Sequence, residues 1–182
     1  MKNVRFLLLF IVVIPFQLFC QNDPVLHKID AQANQVMTYK GDLSEGALMP
    51  DLSWAWNSSV ACFPATQKQK FTGNHVLYTL DLPKYSEMEV TVIPDDPTAN
   101  FSVYAYEIGL NTNRLVPNLP SCIRCEAAHK WDRPHRGKTQ DHTRVVSNLV
   151  AINRSYQVII GVVGAEGLLE GGYSLQIEIK AR

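Results

Sequence analysis

The sequence predicts an all-β protein, a single β-sandwich or jelly-roll-like domain. Three observations predict it. From about residue 53 onward apolar side chains recur with period 2, the runs are short and punctuated by Pro, Asp and Gly turns, and no strong helical pattern lies between them. Successive side chains of a strand point to opposite faces, so alternation of this kind marks strands with one face in a core.

The N-terminus reads as an export signal, residues 1–20. Lys2 and Arg5 precede residues 6–19, fourteen residues with no charge and one polar side chain, Gln17. A spanning helix needs about 20 apolar residues to cross about 30 Å of hydrocarbon, so this run, interrupted by Pro15, reads as a cleaved signal peptide. Cys20 stands between it and the polar Gln21, Asn22 and Asp23. Ordinary cleavage beside Cys20 is favoured, because bulky Phe19 sits where a lipoprotein signal carries a small residue; lipidation of Cys20 is the alternative. Removing residues 1–20 leaves 162 of the 182 residues, and with Lys2 and Arg5 gone 15 basic groups face 17 acidic ones. Near-neutrality argues against nucleic acid as a partner. A chain of this length buries about 68 to 70% of its unfolded surface, enough for one core.

Residues 21–50 form a polar lead-in, where Leu26, Ile29, Ala33, Val36 and Met37 line one face of a short helix until Gly41 and Gly46 break the pattern. The sandwich is expected over 51–182. Along 75–82, Val76, Tyr78, Leu80 and Leu82 share one face, and His75, Leu77, Thr79 and Asp81 the other. Pro83 stops the ladder because it lacks a backbone donor. Residues 88–93 alternate again, and Pro94, Asp95, Asp96 and Pro97 supply turn chemistry before a third strand over 101–108. A long Cys/His-bearing insertion, 109–143, precedes a strand over 144–152. Residues 156–163 are apolar on both faces, which predicts a central strand. After the glycine-rich 164–172, Tyr173, Leu175, Ile177 and Ile179 alternate with Ser174, Gln176, Glu178 and Lys180, a strand with one wet face.

The order Phe71-Thr72-Gly73, Tyr78-Thr79-Leu80-Asp81-Leu82-Pro83, Met88/Val90/Val92, Asn100-Phe101-Ser102-Val103-Tyr104, then 155–162 and Gly172-Tyr173-Ser174-Leu175 resembles the bacterial pre-peptidase C-terminal domain over about residues 68–180. The resemblance implies a non-catalytic β-sandwich, usually appended to exported enzymes and associated with export, solubility or binding. Two departures stand out. No catalytic domain accompanies it, and the insertion interrupts it.

Three cysteines survive cleavage: Cys62, Cys122 and Cys125. In an oxidising compartment one disulfide and one free thiol are expected. Pairing of Cys62 with Cys122 or Cys125 is favoured, because closing a loop of about 60 residues stabilises by about 4 kcal/mol in the chain-entropy model, whereas Cys122 with Cys125 closes a tiny loop. The competing use of these residues is a zinc site from Cys122, Cys125 and His129, with His135 and His142 nearby. A reliable structural site wants a second ligand pair at similar spacing, which the chain lacks. A redox role for Cys122 and Cys125 lacks its usual βαβ setting.

Binding candidates are Trp131, Arg133 and Arg136 in the cationic insertion, and Trp54 and Trp56, two apart and so on the same face of a strand, as a sugar-stacking platform. Packing is the competing use of both tryptophans. Asp95, Asp96 and Asn100 offer calcium oxygen ligands, but a plain turn explains them more cheaply and no EF-hand spacing is present. Nucleophile elbows, HExxH motifs, phosphate loops and dinucleotide fingerprints are absent from the sequence, and Glu87, Glu89 and Asp96 are isolated carboxylates. No cofactor is expected. The leading expectation is a non-enzymatic exported interaction module, secreted or periplasmic, that binds a protein or surface-carbohydrate partner through its loops. The alternatives are a metal-assisted hydrolase using His129, His135 and His142, and a structural envelope lipoprotein anchored at Cys20.

Overall fold

Ten strands form two face-to-face sheets in the computed structural model, which describes residues 25–131, 137 and 141–182. They are β1 (Leu26–Lys28), β2 (Val36–Asp42), β3 (Ala47–Leu48), β4 (Asn74–Leu82), β5 (Ser86–Pro94), β6 (Phe101–Ile108), β7 (Arg124–Ala128), β8 (Arg144–Ala151), β9 (Tyr156–Gly164) and β10 (Gly172–Ala181). One sheet runs β1-β4-β9-β6-β7, with β3 also paired to β4; the other runs β2-β10-β5-β8. Only β1 on β4 is parallel among these pairings.

The period-2 pattern explains the core between the sheets. Val76, Tyr78, Leu80 and Leu82 of β4, Val158, Ile160 and Val162 of β9, and Val103 of β6 face Met88, Val90 and Val92 of β5 and Tyr173, Leu175, Ile177 and Ile179 of β10. β10 keeps its other face partly wet, and β9 lies between β4 and β6 with residues buried on both faces, as its two-sided apolar sequence requires.

The second face of β9 has its own cover. Leu77, Tyr104, Tyr106, Ile159 and Val163 project away from the inter-sheet core onto Trp54, Phe63, Phe71, Val116 and Leu119. Phe63 stacks on Phe71 with ring centroids 3.8 Å apart, and Trp54 meets the Tyr104 ring edge-on at 5.1 Å. His75 is fully buried here. Its Nε2–H donates to the Phe71 carbonyl (3.0 Å) and its Nδ1 accepts from the Tyr104 hydroxyl (3.2 Å). Burial, only partly offset by the Phe71 bond, lowers its pKa from 6.5 to about 4, so the ring is neutral. Gly161 makes room for Tyr104, because a Cβ there would lie 2.1 Å from the tyrosine ring.

Three sequence expectations change. The helix through Leu26, Ile29, Ala33, Val36 and Met37 does not form: Leu26–Lys28 joins β4, Val36–Asp42 joins β10, and Ala33 bridges Ile179. Long-range pairing to sheet edges outweighs a weak local helical pattern. Trp54 and Trp56 lie on a short 3-10 helical turn, Ser53–Trp56, instead of a strand. They therefore diverge: Trp54 is 4% exposed in the outer core and Trp56 36% exposed, so the pair offers no shared platform. The insertion is not purely a loop, because Arg124–Ala128 extends the first sheet as β7.

Candidate functional site

At the end of the sandwich where β2 and β5 finish and β6 and β10 begin, three loops surround an open cleft of about 940 Å³. Asp42 and Ser44 come from the β2 end, Asp96, Thr98 and Asn100 from the β5–β6 turn, and Glu166, Leu168 and Glu170 from the β9–β10 loop. Every ionisable group among the described lining residues is a carboxylate.

Each wall is held by local chemistry. Asp42 accepts from the Ser44 backbone N–H (2.8 Å), and Asp96 accepts from Thr98 through both N–H (2.8 Å) and hydroxyl (2.7 Å), the side-chain turn bonds that aspartate favours. Backbone donation from Ser44 and Thr98 lowers the pKa of Asp42 and Asp96, so both are ionised at neutral pH. The β9–β10 loop lies flush against the sheet end because Gly164 has no side chain; a Cβ there would sit 2.0 Å from the Leu168 carbonyl oxygen. Beneath the loop, the buried Lys70 ammonium donates to Glu166 Oε1 at 2.9 Å, which fixes one acidic wall.

Arg144 is a buried brace beside the cleft. Its guanidinium donates to the carbonyls of Phe101 (2.7 Å), Thr143 (2.9 Å) and Asp141 (3.2 Å) and to Asn100 Oδ1 (3.3 Å). The oxygens considered for calcium serve the same end of the molecule. Asp95 pairs with Lys40 at 2.7 Å, Asp96 caps its turn, and Asn100 meets Arg144.

Cys62 and Cys125 form the disulfide, one of the two pairings expected, and Cys122 is left as a free, half-buried thiol. The bond ties the segment before β4, which covers the outer core, to the edge strand β7. This also undoes the zinc set of Cys122, Cys125 and His129. Cys125 is spent, and His129 lies four residues along an extended chain, on the order of 13 Å away. His129 packs instead between Phe71 (6.0 Å) and Trp131 (5.1 Å), and among the described residues no group of three His, Cys, Asp or Glu could hold a metal.

Trp131 is 69% exposed, at the end toward which β7 runs, the cleft end. Arg133, His135 and Arg136 lie outside the described residues, as do Cys20 and the signal segment. His142 is buried at the start of β8, where burial and then the Arg144 and Lys130 charges lower its pKa. Sequence reasoning read 94–97 and 164–172 as turns but did not join them into a cleft with Asp42, Glu166 and Glu170; their only signal was acidic residues in two separate turns.

No protein-family model matches the chain, and neither does any curated protein. Two solved structures are similar in fold. A periplasmic lysozyme inhibitor of g-type lysozyme from Aeromonas hydrophila covers 87% of this chain and 99% of its own at 13% identity and a TM-score of 0.41. The pre-peptidase C-terminal domain of collagenase from Bacillus anthracis covers 86% of this chain and 98% of its own at 9% identity and a TM-score of 0.42. The second belongs to the family that the strand and turn order resembles.

Proposed function

We propose that the chain is a non-enzymatic exported interaction module whose end cleft takes a cationic segment of a protein partner. The observation that carries this reading is a cleft of about 940 Å³ whose ionisable lining groups, Asp42, Asp96, Glu166 and Glu170, are all carboxylates and whose walls are braced by Lys70 and Arg144. Acidic walls in a concave site focus potential on a positively charged ligand and speed its capture. The cleft is built from loops on a rigid sandwich, the arrangement that positions binding residues in many folds. The long-range disulfide supports an oxidising, extracytoplasmic setting, secreted or periplasmic. Among the described residues no helix is long and apolar enough to cross a membrane.

The test is an NMR titration of the chain from residue 21 with hexalysine, and with neutral chitohexaose in parallel. Saturable shifts confined to residues 42–44, 95–100 and 164–172, lost in the double variant Glu166→Gln/Glu170→Gln and weakened by salt, are expected with hexalysine alone. Shifts scattered over the surface, or unchanged in the double variant, would reject the cleft as the site.

A further inference from the structure

The opposite end of the sandwich holds a strained, exposed aromatic. There the turn between β4 and β5 meets the turn between β8 and β9 and the end of β10. Lys84 N–H donates to Ser155 Oγ (3.1 Å), Tyr85 N–H to the Ile152 carbonyl (3.1 Å), and Arg182 N–H to the Tyr85 carbonyl (2.7 Å). These bonds hold Tyr85 at φ 58°, in the left-handed region that a bulky L residue rarely adopts. Burial does not explain the choice of residue, because Tyr85 is 55% exposed. Glycine or asparagine would close the same turn without the strain.

The surroundings of Tyr85 are aromatic and cationic. Lys84 Nζ lies 5.6 Å from the Tyr85 ring centroid, while the neighbouring turn presents Arg154 at 5.2 Å from the Tyr156 centroid with its Nε donating to the Tyr156 hydroxyl (3.0 Å). Arg182 adds a third cation, paired with Glu87 at 3.1 Å, and Lys180 a fourth, paired with Glu178 at 3.0 Å; Asp81 lies near this end of β4. Ile152 is exposed beside Tyr85.

We propose that this tip is a binding site for an acidic polysaccharide, with a sugar ring on Tyr85 and its carboxylates on Lys84 and Arg154. A tyrosine offers an apolar face at little cost in side-chain entropy, and arginine matches a carboxylate in a planar, two-pronged way. One exposed ring flanked by two cations suits a single sugar unit, whereas each partner of a stable protein complex buries roughly 800 Å². Tyr85 and Ile152 are too few to enter a bilayer. The site shares no residue with the cleft, so it stands or falls separately.

The test measures binding of hexagalacturonate by calorimetry at low salt, with chitohexaose, hexaglutamate and anionic lipid vesicles as competing ligands. Salt-sensitive binding to hexagalacturonate alone is expected. Tyr85→Gly should weaken it about tenfold, the loss of one ring contact. The same substitution should keep Tm or raise it by about 2 to 4 °C, because the backbone strain goes. The double variant Lys84→Gln/Arg154→Gln should abolish binding with Tm unchanged. The proposal is overturned if Tyr85→Gly binds like the wild type, if it lowers Tm, or if hexaglutamate or vesicles bind as well as the sugar.

Discussion

Acidification from pH 7 to pH 5 is expected to remove about 2 kcal/mol of stability through one residue, His75. The unfolded histidine takes up a proton near 6.5, whereas the folded one does so only near 4, because protonation would place a charge in the outer core between Phe71 and Tyr104. Between these values the unfolded state binds the extra proton, so stability falls as pH falls. The loss grows to about 3 kcal/mol at pH 4 and levels off below it. His142, whose pKa is lowered too, acts in the same direction. Urea unfolding followed by tryptophan fluorescence at pH 7, 6, 5 and 4 measures the slope, since Trp54 lies in the same core. The variant His75→Gln can keep an amide donor toward Phe71 but does not titrate. It should be less stable than the wild type at pH 7 and lose about 2 kcal/mol less on going to pH 5. Equal losses in the two proteins would refute the assignment of the slope to His75.

Other outcomes follow from the same packing. Cys62→Ser should cost about 4 kcal/mol, measured by chemical unfolding, because the bond spans 63 residues and restrains the unfolded chain. Intact mass before and after reduction and alkylation should report one disulfide. Burial, and then the Glu107 charge, pushes the Cys122 thiol up to about 11, so it should alkylate slowly until the protein is unfolded. Gly161→Ala should cost about 2 to 3 kcal/mol in unfolding free energy, since the added methyl meets the Tyr104 ring, which Trp54 and His75 hold in place.

How far the sequence was legible depended on the range of the interactions. β4, β5, β6 and β10 could be read from alternation because each has a face in the inter-sheet core, so burial writes period 2 into the residues themselves. β9 was legible as central from its two apolar faces. β2 was not: its outward Val36, Thr38 and Lys40 and inward Met37, Tyr39 and Gly41 make sense only once β10 lies beside them. Trp54 and Trp56 misled for a related reason, since two-residue spacing shares a face in a strand but not in a 3-10 turn.

The amino-acid sequence by itself determined the two-sheet β class, the centrality of β9, the wet face of β10 and the choice of Cys62 as one end of a staple. These are local or compositional facts, set by alternation, turn chemistry and loop-closure entropy. Tertiary structure alone decided that Cys125 and not Cys122 closes the bond, that His75 is sealed and neutral, and that Asp42, Asp96, Glu166 and Glu170 share one cleft. Each of those depends on bringing together residues more than twenty positions apart, through packing on the outer face of the first sheet or the meeting of loops at the end of the sandwich.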